Sequence, residues 1–151
     1  MTGGVDQPTD AITPTGDGAQ AAVFDANLDT LPAANRWLSA RCAALNIVAK
    51  TAFALELCLE EIFVNVVIHG GAGHVRLSLE RDQDSAVLRI ADDGRAFDTV
   101  AAPAQRVKDP LDTNAIGGLG IGLVKQFARA LHYSREKDMN CLTLEIALIA
   151  P

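Results

Sequence analysis

Three short segments of this 151-residue chain carry residues whose type and spacing suit chemistry. The first is a helix-patterned run from Ala52 to Ile68 that is apolar nearly all round, with Phe53, Leu55, Leu57, Leu59, Ile62, Phe63, Val66, Val67 and Ile68. That profile predicts a mostly buried helix. Within it Glu61, Asn65 and His69 recur at i, i+4 and i+8 and so share one stripe. Burying an amide without a partner costs about 2–7 kcal/mol. The stripe therefore faces solvent along the helix edge, or is satisfied by other protein groups, or is satisfied by a polar ligand.

The second segment is Asp92-Asp93-Gly94-Arg95-Ala96-Phe97-Asp98, just past a strand pattern. Asp and Gly there make an ordinary turn. They also suit recognition, because a carboxylate accepts from an exocyclic amine and Gly lets a ligand approach the backbone. The third is Gly117-Gly118-Leu119-Gly120-Ile121-Gly122. Glycines at a helix start bring backbone N–H groups to phosphate oxygens, and the helix terminus favours the negative charge. It is not a Walker A loop, because Leu123 stands where Lys is needed. Nor is it a dinucleotide fingerprint, because no strand directly precedes it.

The surrounding elements are legible from periodicity. Ala21 to Phe24 suits a short edge strand. Thr30 is placed to cap a first helix with Pro32 in its first turn, running through Trp37, Leu38 and Leu45. Thr51 is expected to cap a second helix that reaches His69 and stops at Gly70-Gly71. His74 to Glu80 alternates as a half-buried strand does, and Ala86 to Ile90 forms the next after a turn at Asp82 to Ser85. Arg95 to Ile116 has no sustained period and reads as a lid or binding loop. A helix from Ile121 to Leu131 follows. Tyr133 to Glu136 and Cys141 to Leu148 form a closing hairpin turned at Lys137-Asp138-Met139-Asn140. Strands cluster as antiparallel neighbours and helices do not alternate with them one for one. The expectation is an α+β, two-layer sandwich: a mixed, mostly antiparallel sheet with helices on one face.

Residues 1–19, rich in Gly, Pro, Thr and Asp, read as a flexible tail, and 20–151 as one domain. Apolar residues make up 49% and charged residues 21%, as in a globular protein. The net charge of −6 offers no general footprint for nucleic acid or an anionic membrane. No stretch approaches the roughly 20 apolar residues of a membrane span, and the N-terminus has no signal-peptide pattern. Cys42, Cys58 and Cys141 form no CxxC pair and read as buried thiols of a cytoplasmic protein. His74 and His132 have no companions at metal-ligand spacing, and Trp37 reads as core or interface.

Taken in order, the acidic-amide helix, the Asp-x-Gly turn, the lid and the Gly-rich helix start resemble the GHKL ATPase family with its Bergerat nucleotide site. The resemblance spans about Ala21 to Leu148. The chain's shortness and the Asp92-Asp93-Gly94-Arg95-Ala96-Phe97-Asp98 run are most similar to the anti-sigma-factor serine kinases of RsbW and SpoIIAB type. The sequence departs from that group at Ala96 and Thr99, where Pro is common, at Val64, where Thr is usual, and after His69, which lacks the usual aromatic residue.

The resemblance implies a role for each matching residue. Asn65 would hold the Mg²⁺ that bridges the phosphates, an amide oxygen suiting that hard cation. Glu61 would be the general base. Asp92 would accept from the adenine amine, with Gly94 beside it. Gly118, Leu119 and Gly120 would meet the phosphates of ATP, and Arg106 or Lys108 of the lid could reach the γ-phosphate. The implied activity is ATP-dependent phosphorylation of Ser or Thr on an anti-anti-sigma (STAS) protein, by a homodimer that also sequesters a sigma factor. Two other readings stand beside it: a non-catalytic nucleotide-binding or sequestration module, and a detached histidine-kinase-like ATPase domain.

Overall fold

The computed structural model describes residues 20–101 and 120–148. The chain runs β1 (Gln20–Asp25), a 3₁₀ turn (Leu28–Thr30), α1 (Leu31–Ala44), α2 (Ala49–Asn65) and a π-helical turn (Val66–Gly70). It continues through β2 (His74–Arg81), β3 (Ser85–Asp92), α3 (Gly120–Phe127), β4 (Ala130–Glu136) and β5 (Met139–Ala147). The strands form one sheet in the order β1-β2-β3-β5-β4. All four pairings are antiparallel, so the sheet is not mixed among the described residues.

Alternation in the strands decides what faces the helices. Val75, Leu77 and Leu79 of β2, Ala86, Leu88 and Ile90 of β3, and Leu142, Leu144 and Ile146 of β5 are all buried. Register aligns them in rows: Leu79 opposite Leu88 opposite Leu144, and Leu77 opposite Ile90 opposite Leu142. Because the period is two, the same inward set continues to the sheet end as Val75, Asp92 and Asn140, again opposite one another. Two polar residues thus close an otherwise apolar face.

α2 covers that face with Ala54, Leu55, Cys58, Leu59, Ile62 and Phe63, recurring at the three- and four-residue spacing of a helix stripe. It is half-buried rather than enclosed, since Phe53 is 59% exposed. The helix starts at Ala49, before Thr51. Thr51 is therefore not its cap; the side chain is buried and its Oγ1 donates to the Ala147 carbonyl at 3.4 Å. α1 packs beside α2 with Ala34, Leu38 and Cys42 buried, and Trp37 meets Phe24 edge-on at 6.5 Å. Thr30 precedes α1 but makes no capping bond to it; its hydroxyl turns back to the Asn27 carbonyl at 2.7 Å. Arg81 ties the end of α1 to β2 by donating to the carbonyls of Leu45 and Asn46 at 2.9 and 2.7 Å.

Two C-terminal boundaries differ from expectation for one reason: the hairpin is longer and its turn tighter. Lys137 and Asp138 both have positive φ, 50° and 62°, the signature of a two-residue type I′ turn whose twist matches the strands. Met139 and Asn140 therefore belong to β5, and the strand pairing extends back to Ala130 opposite Glu145. The Arg129 N–H already bonds the Glu145 carbonyl at 2.7 Å. α3 stops at Phe127, and Leu131 lies in β4 rather than in a helix.

Among the described residues no helix is long and apolar enough to cross a membrane. Cys42 and Cys58 are buried free thiols. Burial pushes them up to about 11 and about 12, with help from Glu56 and Glu61 respectively, so both stay protonated and inert. Cys141 is only half-buried, because it lies on the sheet face opposite the helices.

Candidate active site

A cleft of about 400 Å³, measured out to its open mouth, lies at the polar end of the sheet. Ile62 and Asn65 of α2, with Val66 and Gly70 of the π turn, form one side. Ile90, Asp92, Leu142, Asn140 and Tyr133 of the sheet form its floor, and Phe97 and Thr99 of the loop after β3 complete it.

Asn65 is 7% exposed, and its Oδ1 is buried with no hydrogen-bond partner among the described residues. An orphaned buried acceptor costs about 1–3 kcal/mol, and a water or an ion is a usual partner for such an atom. An amide oxygen left this way fits a hard cation such as Mg²⁺. Among the described residues no group of three His, Cys, Asp or Glu could hold a metal. Glu61 lies one helical turn earlier on the same stripe, half-buried, and does not line the cleft. Burial, aided by neighbouring Glu60, raises its carboxyl above the usual value. The stripe ends there. The π turn widens the helix after Asn65, and His69 emerges exposed. Gly71, at φ 62°, closes the turn in the left-handed conformation.

Asp92 is 6% exposed at the end of β3. Its Oδ1 accepts from the Gly94 N–H at 2.9 Å and from Asn140 Nδ2 at 3.0 Å. Burial raises its carboxyl, as does Asp93; the two hydrogen bonds and the Arg135 guanidinium oppose the rise. Gly94 has no room for a side chain: a Cβ there would lie 2.6 Å from the Gly70 carbonyl oxygen and 2.9 Å from Asp92 Oδ1. The loop and the end of α2 are joined at this point. The Arg95 N–H donates to the Gly70 carbonyl at 2.8 Å, and its guanidinium donates to the His69 carbonyl at 2.8 Å. These bonds satisfy carbonyls that a helix end leaves orphaned. Asp98 Oδ1 then accepts from the N–H groups of Val100 and Ala101 at 2.9 and 3.1 Å.

Asp93 points the other way. Its Oδ1 accepts from the N–H groups of Gly73 and His74 at 2.7 and 2.9 Å, and its Oδ2 meets His74 Nδ1 at 3.1 Å. Burial works against ionisation, but these bonds hold its carboxyl below the usual value. His74 thus has a carboxylate partner that spacing did not reveal.

The structure brings Asn65 and Asp92 to one cleft, packs Gly94 against Asp92 and Gly70 beside it, and leaves Glu61 one turn behind it. Gly120 is the first residue of α3, one before the expected start at Ile121, while Gly118, Leu119, Arg106 and Lys108 lie outside the described residues. Asn140, Tyr133, Phe97, Thr99 and Gly70 were not foreseen. The signal for Asn140 was available, because it falls in phase with Leu142, Leu144 and Ile146; assigning it to the turn concealed it.

A family model, the histidine kinase-like ATPase domain, matches residues 24–146. The serine/threonine-protein kinase BtrW of Bordetella bronchiseptica is 35% identical over 100 residues, covering 64% of this chain and 70% of BtrW. The crystal structure of the RsbU and RsbW domains of Rv1364c from Mycobacterium tuberculosis superposes with a TM-score of 0.61 at 12% identity. That match covers 91% of this chain and 34% of the two-domain chain, so the present chain spans about a third of it. At that identity it speaks for the fold, an antiparallel sheet with helices on one face. With most of its length matched by the family model, the chain belongs to the histidine kinase-like ATPase domain family, the GHKL type its motifs resemble.

Proposed function

We infer that this domain is an ATP-dependent protein serine/threonine kinase whose nucleotide binds in the cleft between α2 and the polar end of the sheet. The observation that carries the reading is the pairing of two buried, differently suited groups in one cleft: Asn65 Oδ1, without a partner among the described residues, and the Asp92 carboxylate. Asp92 would accept from the adenine amine, and Gly94, which admits no Cβ, would keep the loop close to the base. Asn65 would hold Mg²⁺, which supplies charge neutralisation on the phosphates when bound. Backbone N–H groups of Gly118, Leu119 and Gly120 would meet the phosphate oxygens, as the resemblance implies.

Glu61 would act as general base. In the transfer, the acceptor hydroxyl oxygen forms a bond to Pγ, the bond from Pγ to the β,γ-bridging oxygen breaks, the proton passes to Glu61, and ADP leaves. Its raised carboxyl suits it to receive that proton. A relative named a serine/threonine-protein kinase supports a hydroxyl as acceptor. The Asp92-to-Asp98 run supports a partner-switching role: the acceptor is a STAS-type anti-anti-sigma protein, the same chain, as a homodimer, sequesters a sigma factor, and it does so in the cytoplasm.

The test is phosphoryl transfer from γ-labelled ATP to a STAS-domain protein, with Glu61→Gln as control. The kinase reading predicts an acid-stable phosphoserine or phosphothreonine and a loss of about 10²–10⁴-fold in the variant. An acid-labile, base-stable product would instead indicate histidine chemistry. ATP binding without any transfer would leave a nucleotide-binding module, a reading consistent with Glu61 lying off the cleft lining.

A further inference from the structure

We propose that Asn140 is a positioning residue for base recognition: its side-chain amide holds Asp92 so that one carboxylate oxygen, Oδ2, is left to accept the exocyclic amine of an adenine nucleotide. The proposal rests on the ATP-binding reading above and adds the group that gives that reading its base specificity.

Asn140 is 5% exposed, and its amide is fully committed. Its Oδ1 accepts from Tyr133 OH at 2.6 Å, from Arg135 Nη1 at 3.1 Å and from the Phe97 N–H at 3.2 Å. Its Nδ2 donates to Asp92 Oδ1 at 3.0 Å and to the Arg95 carbonyl at 2.6 Å. The amide orientation is therefore dictated by its neighbours. Flipped, its NH₂ would face three donors, and its oxygen would face a carboxylate and a carbonyl.

Two consequences follow for Asp92. Both of its protein hydrogen bonds, from Gly94 and Asn140, fall on Oδ1, and none among the described residues engages Oδ2. With one oxygen saturated and the other not, the carboxylate has one free acceptor and a fixed plane. The same amide also clamps the loop that carries Gly94. It reaches Arg95 and Phe97 directly, and Arg135 donates to the Gly94 carbonyl at 2.8 Å. Asn140 has no hydrogen-bonding capacity left for a ligand, so it acts through Asp92 rather than on the base. The type I′ turn at Lys137-Asp138 leaves Asn140 within β5, and the β3–β5 register sets it directly opposite Asp92.

The test compares two ligands by calorimetry: ADP, and purine riboside 5′-diphosphate, which lacks only the amine. A hydrogen bond to a charged acceptor predicts that wild type prefers ADP by about 10- to 100-fold. Asn140→Asp keeps the shape and the acceptor facing Tyr133, Arg135 and Phe97 but turns an oxygen toward Asp92. The preference should fall to within about 3-fold of unity. Tyr133→Phe removes the shortest donor to Oδ1 and should lower the preference more than 2-fold, which keeps the test open if Asn140→Asp does not fold. A purely structural role would weaken both ligands alike and leave the ratio intact. If wild type discriminates and both variants discriminate equally, this proposal is overturned alone. If wild type binds neither ligand, the ATP reading is overturned with it.

Discussion

Replacing Gly94 with Ala tests the join between the loop and the π turn after α2, which borders the cleft at Gly70 and Asp92. The new Cβ would sit 2.6 Å from the Gly70 carbonyl oxygen, 3.1 Å from its carbonyl carbon and 2.9 Å from Asp92 Oδ1. Reaching an ordinary contact of 3.4 Å requires the two backbones to part by about 0.8 Å. Neither side yields freely. Gly70 O is held by the Arg95 N–H at 2.8 Å, and Asp92 Oδ1 by Gly94 itself and by Asn140. Overpacking of this kind costs about 1–3 kcal/mol, and a lost hydrogen bond adds about 1 kcal/mol. The variant should therefore be about 2–4 kcal/mol less stable. Urea unfolding monitored by circular dichroism measures this as a lower midpoint at unchanged slope. Asp92 would be displaced as well, so adenine nucleotide affinity should fall even at temperatures where the variant is folded. A stability change below about 0.5 kcal/mol, the level of ordinary surface substitutions, would refute the reasoning.

Three further outcomes follow. Leu88→Ala, in the middle of the central inward row and fully buried, should cost about 2–5 kcal/mol in the same assay. Asp92→Asn keeps the Oδ1 acceptor but removes a buried charge. Since the folded carboxyl is raised, wild type gives up stability as pH climbs from the unfolded value through the folded one; the variant does not. Asp92→Asn should therefore be more stable than wild type at pH 7, with the difference vanishing in acid, while adenine binding is lost; equal melting temperatures at pH 7 would count against this. Asn65→Leu removes an acceptor that has no partner among the described residues, so its melting temperature should not fall, while Mg²⁺-dependent nucleotide binding should. A melting temperature well below wild type would show that the amide is structural.

The strands and the two long helices were legible because their apolar residues keep a period: Val75, Leu77 and Leu79 in one case, Leu55, Leu59, Ile62 and Phe63 in the other. The same periodicity placed Asn65 on a polar stripe of α2, and local turn chemistry singled out Asp92 and Gly94. What escaped the sequence depended on backbone geometry that residue types do not announce. Lys137 and Asp138 carry none of the Gly or Asn expected where φ is positive, so the tight turn was read two residues too long and Asn140 was left outside its strand. The π turn after Asn65 has no compositional mark, and it alone removes His69 from the stripe. The partnership of Gly94 with Gly70 joins positions 24 residues apart, and nothing in either local segment points to the other.

The most direct test of the account is titration calorimetry of ATP into the protein with and without Mg²⁺, on wild type and Asn65→Ala. The account predicts ATP binding that Mg²⁺ strengthens in wild type and not in the variant. At about 100-fold excess over Kd, it also predicts stabilisation of wild type by roughly 2.7 kcal/mol. No ATP binding by wild type, or a Mg²⁺ response that Asn65→Ala leaves intact, would contradict it.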